Sequence, residues 1–323
     1  MKIVEPSIEY WSQEAGMEGV WNQIARATRV CYQSSIRESE SSEDFVKRII
    51  LKPTLIEGNL DDLEHCKFDF DKMHGAMLEH GTIYLTISTI NLTDPIIEFI
   101  NKYLHNKYSR VVFPDGADCT DEVYVTTNMR VIIENGWQND LRLICSPKGH
   151  IKRTTFSVIT DIGVTRELNR HRVNSIAEQS TRYCTYSANK FGNEITYTSN
   201  DCLADCMNYL HFDGFTIDSN FFHELCEDIA NNETNHWTPS IYYVFGLLAA
   251  EFAYLGLKKN KVPNDIARQV LNLNTRSQAI YTAFDDDWQH FIKLRADDVS
   301  GKVHPNMKII AKKIKEKSLK CFK

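Results

Sequence analysis

The residues with the most chemistry per unit length lie between Arg166 and Arg182, where four arginines stand against two glutamates in a chain of formal charge −6. Arg170-His171-Arg172 is followed, after seven intervening residues, by Ser180, then Arg182 and Tyr183. Guanidinium groups stay charged at any working pH and hold phosphate through planar, two-pronged hydrogen bonds. A histidine among them adds a group that titrates near neutrality. The combination points to a small phosphorylated ligand; the competing account is a row of surface charges in weak ion pairs.

Such a loop has to be held by regular structure on either side. Residues 154–159 alternate and are rich in β-branched side chains, which predicts a strand, and 162–170 follow with helical spacing. Arg170 and His171 then sit at a helix end. Residues 173–181 form an irregular loop around the ligand, the kind of segment that carries binding groups on a rigid scaffold.

The Arg-His-Arg triplet with Ser180, Arg182 and Tyr183 closely resembles the signature of the flavin-dependent thymidylate synthases. Arg182-Tyr183-Cys184-Thr185-Tyr186-Ser187 and Lys190-Phe191-Gly192-Asn193-Glu194 resemble the continuation found in one branch of that family, which Trp288, His290 and Phe291 also match. Residues 25–32 resemble a segment that lies near the flavin. Val262 to Arg268 resembles a segment whose arginine contacts the nucleotide from a neighbouring subunit, and Leu294-Arg295-Ala296-Asp297 one whose arginine holds the pyrimidine. Val303-His304-Pro305-Asn306-Met307 matches too, after a short insertion. The chain departs from the family pattern at Thr82 and Ile83, where many members carry a His-Glu pair, at Asn272 in place of a proline, and at Phe284 and Asp286 in place of an Asn and an Arg near the flavin.

The resemblance implies an α+β fold, an antiparallel sheet with helices, as a single catalytic domain over residues 1–323 with an inserted region at about 91–149. It implies a homotetramer whose active sites draw on several subunits. It implies reductive methylation of deoxyuridylate (dUMP) to thymidylate, with 5,10-methylenetetrahydrofolate as carbon donor, FAD as hydride carrier and NADPH as reductant. On that reading Arg295 is the catalytic group that polarises the pyrimidine, because charge builds on the ring when position 5 is made nucleophilic. Ser180, Arg182 and Arg268 bind the substrate, chiefly its phosphate. Arg170, His171, Arg172 and His290 hold the flavin, with His171 also near folate. Ser180 is the second catalytic candidate, as a hydrogen-bonding group and not a nucleophile, since no Gly-x-Ser-x-Gly elbow surrounds it. Glu178 is a binding candidate beside Gln179, with an ion pair to Arg172 or Arg182 as its other reading. Two further functions stay open: a dUMP-modifying flavoenzyme that installs another group, such as hydroxymethyl, and a non-catalytic nucleotide- or RNA-binding relative.

Hydrophobic residues at 42% over 323 positions are enough to bury a sizeable core, and 25% charged residues suit a soluble protein. The first residues lack the apolar run of a signal peptide, and the apolar stretch 244–257, broken by Glu251, is too short for a membrane span and predicts a buried helix. A cytoplasmic protein without a membrane partner is expected. Nine cysteines include only Cys202 and Cys206 in a loose metal-like pair, so free thiols and no metal are expected. Lys308, Lys312, Lys313, Lys315 and Lys317 read as a solvated helix face and not a nucleic-acid platform, because no aromatics interleave them.

Periodicity predicts helices at 16–30, 68–79 (Phe70, Met73, Met77 and Leu78 inward), 95–104 and 141–145, and a mobile loop at 34–43. Strands are predicted at 82–88, 123–127 and 131–133, with a turn at Asn135-Gly136. Beyond Ser199 only helices are predicted, at 218–231, 240–257, 263–271, 285–294 and 305–317. Replacing Arg182 by Ala should abolish dUMP binding in a calorimetric titration; affinity within a few-fold of the parent would overturn its assignment to the phosphate.

Overall fold

The computed structural model describes residues 1–323 apart from positions 35, 92, 115–120, 184, 188–192, 204–218, 298, 300 and 322–323. Strands β1 (Lys2–Val4) and β2 (Ser7–Trp11) lead into helix α1 (Gly16–Tyr32), and α2 (Ser42–Val46) runs on through short π and 3-10 turns. A hairpin, β3 (Leu55–Asn59) and β4 (Asp62–Phe68), and a 3-10 turn (Gly75–His80) precede β5 (Thr82–Ser88). Next come α3 (Asp94–Leu104), β6 (Arg110–Val112), β7 (Glu122–Asn128), α4 (Met129–Glu134) and a 3-10 turn (Gln138–Leu143). β8 (Arg153–Asp161), α5 (Ile162–Leu168), β9 (Ser175–Glu178) and β10 (Thr196–Thr198) follow. The remainder is α6 (Ser219–Ala230), α7 (Pro239–Lys259), α8 (Asn264–Ala267), β11 (Arg276–Phe284), α9 (Asp285–Arg295) and α10 (Pro305–Cys321).

The central sheet has the order β2-β8-β11-β9 with every pairing antiparallel. Its spine is β8 against β11, in register from Arg276 opposite Asp161 to Phe284 opposite Arg153. Side chains alternate faces along a strand, and here both faces are covered. Ala279, Tyr281 and Ala283, with Phe156 and Val158 of β8, pack against α5, α9 and α10, while Ile280 joins the core under α1. On that second face Thr282 hydrogen-bonds both Thr155 and the wholly buried His80, each at 2.8 Å. Burial drives the His80 pKa down to about 3, so its ring is a neutral structural partner.

Three apolar cores result. One lies between α1, the hairpin and the inserted region, one between the sheet and α9–α10, and one around β10, α6 and α7. The inserted region shares its core with α1, and its β7 pairs with β5 from Thr82 opposite Asn128 to Ser88 opposite Glu122. The sheet β5-β7-β6 is separate from the central one, and the inserted region is joined to the rest of the protein through the core it shares with α1.

Two side chains, Asp161 and Trp288, fix the elements that carry the arginine loop and Arg295. Asp161 caps α5 by accepting the Val164 N–H at 2.8 Å, and its other oxygen accepts from Asn306 of α10 at 2.9 Å. Trp288 of α9 donates to the Thr154 carbonyl at 2.9 Å while packing edge-on against Phe156 and Phe291.

Several expectations are corrected. The segment 173–181 is not wholly irregular, since β9 pairs with β11 at the sheet edge. β11 itself lies where only helices were expected: buried on both faces, it shows no polar–apolar alternation to announce a strand. Residues 131–133 are helical, because Asn128 caps α4 by accepting the Val131 N–H at 3.1 Å. Residues 68–79 are the end of β4, a turn and a 3-10 segment, leaving Phe70 exposed while Met77 and Leu78 are buried. Residues 141–145 carry only the end of a 3-10 turn, and α2 already begins at Ser42 inside the expected loop. The apolar stretch at 244–257 belongs to a 21-residue helix, the one helix among the described residues long and apolar enough to cross a membrane. It is not buried all round: Val244, Leu247, Glu251 and Tyr254 face the core and Phe252 is 67% exposed. Glu251 is satisfied inside the protein by the Ile195 N–H at 2.7 Å. Residue 218, the expected start of α6, lies outside the described residues.

Because Trp288 is fully buried and bonded, Trp288→Ala should cost about 3–5 kcal/mol in equilibrium urea unfolding. A loss of a few tenths, the size of an ordinary surface substitution, would show that α9 is anchored in some other way.

Candidate active site

α5 ends at Leu168, and a tight turn, with the Arg170 and His171 N–H groups donating to the Glu167 and Leu168 carbonyls, hands the chain to the loop. Arg170 and Arg172 are exposed, and neither is in an ion pair among the described residues. His171 turns inward. Its ring packs edge-on against Phe291 at 4.9 Å, and its Nε2 accepts a hydrogen bond from Arg295 Nε at 3.2 Å.

That bond fixes the protonation state. Burial, then the Arg295 and His290 charges, lower the His171 pKa to about 4, so the imidazole is neutral at working pH and carries its proton on Nδ1. It offers a donor toward the loop and is not a base. Arg295 in turn keeps both terminal nitrogens outside this bond, available for an oxyanion or a carbonyl. His290 lies exposed on the same helix, one residue before Phe291.

Ser180, Arg182 and Arg268 form a second group. The Ser180 N–H donates to the Cys31 carbonyl at the end of α1 at 3.0 Å, and its hydroxyl accepts the Arg182 N–H at 3.3 Å. Arg268 donates to the Thr181 hydroxyl at 3.2 Å, and Asn264 donates to the Arg182 carbonyl at 2.9 Å. Arg182 pairs with Asp265 at 3.1 Å, with both side chains more than half exposed. An ion pair this open contributes little to stability. Tyr32 stacks edge-on against Tyr183, so the end of α1 does lie beside this loop.

Glu178 pairs with neither Arg172 nor Arg182. One carboxylate oxygen accepts from Ser277 at 2.8 Å and the other from Asn169 at 3.4 Å, whose own oxygen accepts from Tyr281 at 2.9 Å. Gln179 accepts from Arg276 at 2.9 Å. Arg276 went unrecognised in the sequence because it opens a strand that was itself missed. The available signal was a β-rich run directly after Asn274-Thr275.

Phe284 and Asp286 differ in fate. Asp286 is exposed at the start of α9 and accepts the Asp287 N–H at 2.9 Å. Phe284 is buried at the end of β11, with the Arg110 and Arg153 guanidinium groups over its ring at 4.5 and 5.5 Å. These residues, with Arg172 and Asn174, line a cleft of about 490 Å³. Asn306 accounts for His304, whose Nδ1 accepts the Asn306 N–H at 3.2 Å. Cys184 and residues 190–192 of the branch-specific continuation, and Cys206, lie outside the described residues. Cys31, Cys66, Cys145, Cys202 and Cys226 are free thiols, and no group of three or more metal-ligating side chains forms among the described residues.

An antiparallel sheet flanked by helices carries an arginine-rich loop beside its edge strand β9 and a half-buried histidine–arginine contact. The chain belongs to the thymidylate synthase complementing protein family, that of the flavin-dependent thymidylate synthases, which it matches over residues 146–321. Membership places it among the transferases of nucleotide metabolism that modify dUMP. Residues 1–145, with α1 and nearly all of the inserted region, precede the matched stretch. No curated protein matches the chain at a significant level. Among solved structures it aligns with the UMP/dUMP methylase PolB from Streptomyces cacaoi bound with 5-Br dUMP, at 15% identity and a TM-score of 0.37, over 99% of this chain and 93% of that one. The same methylase bound with 5-Br UMP aligns at 15% and 0.38, over 99% and 92%. A likeness this low adds nothing to the family assignment.

His171 gives a pH prediction. Its folded pKa of about 4 lies below the ordinary value of 6.5, so its neutral form favours the folded state above pH 6.5, and that contribution is lost as pH falls from 6.5 toward 4. An NMR titration should show the His171 ring neutral at pH 5.5, about one unit below an unperturbed histidine; a midpoint near 6.5 would mean that the ring is neither buried nor held against Arg295.

Proposed function

We propose that this protein catalyses the reductive methylation of dUMP to thymidylate, with 5,10-methylenetetrahydrofolate as carbon donor, FAD as hydride carrier and NADPH as reductant. The observation that carries the reading is the meeting of His171 and Arg295, 124 residues apart, one a candidate flavin ligand and the other a candidate pyrimidine ligand. Two groups that a shared ligand set would require side by side are held there by α5 and α9.

The residues present fit an anionic dinucleotide. Arg172 is free of ion pairs, the Asn174 amide nitrogen is buried without a partner among the described residues, and the cleft they line has a cofactor-site volume. Arg170, His171, Arg172 and His290 would hold FAD, which when bound supplies the hydride.

The chain's own residues bind, orient and polarise. Arg182, Arg268 and the Ser180 hydroxyl hold the dUMP phosphate, where charge-assisted hydrogen bonds are strongest. Arg295 presents its terminal nitrogens to a uracil carbonyl, stabilising the negative charge that builds when position 5 attacks the carbon donor. His171 holds the Arg295 Nε, so the guanidinium is oriented before substrate arrives. Ser180 acts as a hydrogen-bonding group: its hydroxyl accepts from a backbone amide, and no hydrogen bond joins it to a base among the described residues. Among the described residues no hydrogen bond or ion pair joins the His171–Arg295 pair to the Ser180–Arg268 group, and β9 separates them by roughly 10 Å of strand. That spacing favours sites completed by neighbouring copies, in a cytoplasmic homotetramer.

Tritium release from dUMP labelled at ring position 5 tests the reading, with FAD, NADPH and methylenetetrahydrofolate omitted in turn and the product mass recorded. Release that needs every component and yields thymidylate is the expected result. Release with a product heavier by an oxygen would point to hydroxymethylation, and no release from a flavin-loaded protein would overturn the reading.

A further inference from the structure

The inserted region brings two cations, Lys107 and Arg110, to the cleft that holds Arg172. Lys107, Tyr108 and Arg110 form one wall, contributed by the turn after α3 and by β6, and Arg153 and Arg172 come from the sheet framework opposite. Among the described residues, Lys107, Arg153 and Arg172 take part in no ion pair. Arg110 reaches Asp287 only at 4.0 Å. The other carboxylate of the cleft, Glu79, is already held by Arg130 at 2.6 Å.

Arg153 is instead fixed by neutral groups, donating to the Glu79 carbonyl at 2.9 Å and the Ser175 hydroxyl at 2.9 Å. It shares the Phe284 ring with Arg110, so the aromatic side chain that replaces the family's Asn holds two guanidinium groups close together. Burial lowers the Arg153 pKa to about 10, against the opposing influence of the Glu79 and Asp287 carboxylates, and it stays charged at neutral pH. Like charges gathered in a half-closed cleft repel unless an anion sits among them. The Asn174 amide nitrogen, buried and unpartnered among the described residues, adds a waiting donor. Tyr108 is 55% exposed at the rim, with the Lys107 ammonium 4.8 Å from its ring centroid.

We infer that this cleft binds the pyrophosphate limb of a dinucleotide between Lys107 and Arg110 on the inserted wall and Arg153 and Arg172 on the sheet wall. A single phosphate carries too little charge to match four cations, whereas two adjacent phosphates supply charge for both walls. The inserted region is thereby part of the cofactor site and not a bystander. The inference rests on the proposed function only for the two dinucleotides it nominates, FAD and NADPH.

The test is calorimetric titration of the full chain, Arg110→Ala and Lys107→Glu with FAD, NADPH and inorganic pyrophosphate, with no dUMP or folate present. Pyrophosphate and at least one dinucleotide should bind the parent and weaken by about tenfold or more in both variants, the loss expected for a charged contact. dUMP affinity and melting temperature should stay at parent values, which separates a lost site from a lost fold. The dinucleotide that weakens identifies the source of the phosphates. Parent-like binding of both dinucleotides, or no pyrophosphate binding by the parent, would overturn the inference. A protein that binds as expected yet releases no tritium would sink the proposed reaction and leave this site standing.

Discussion

Nearly everything of functional interest hangs on the antiparallel ladder between β8 and β11. Its two ends carry different chemistry because the register sets Arg153 against Phe284 at one end and Asp161 against Arg276 at the other. At the first end the cation–aromatic cluster opens into the cleft. At the second, Asp161 caps α5 and so aims the arginine loop, and Arg276 holds Gln179. A slip of one residue would turn every side chain of β11 to the opposite face. It would put Tyr281 and Ala283 under α1 and Thr282 into the apolar layer beneath α9. The register is therefore specified by burial on both faces, and the site inherits that precision.

The electrostatics of the site follow from a separation of duties. Carboxylates near the loop are occupied by the scaffold: Glu178 by Ser277 and Asn169, Asp161 by α5 and α10, Glu79 by Arg130. Cations are left with weak or neutral partners, as for Arg182 and Arg153, or with a histidine forced to stay neutral, as for Arg295. A chain that is acidic as a whole thus presents positive charge where an anion would dock. The arrangement costs folding stability through repulsion, and bound phosphate would offset it.

Much of this was legible in sequence. The strand before the Arg-His-Arg loop, the loop's position at a helix end and the helix that ends at Arg295 match the structure, because each is a local pattern. What escaped is equally particular. β11 escaped because two-sided burial removes the alternation that marks a strand. The bond partners of Glu178 escaped because Ser277 lies 99 residues away. The role of Phe284 escaped because its cations come from β6 and β8.

By itself the sequence determined the chemistry on offer: a loop rich in arginine, a histidine whose intrinsic pKa lies near neutrality, and enough apolar side chains to bury three cores. Those depend on residue type and short-range spacing, which no tertiary contact alters. Only the tertiary structure decided which groups meet. It joined His171 to Arg295, set Arg268 on Thr181, tied Glu178 into the sheet, and brought an inserted region of otherwise opaque function to the wall of the cleft that holds Arg172. The reason is that side-chain meetings across a hundred residues are fixed by strand register and helix docking, and these are settled by the whole core at once.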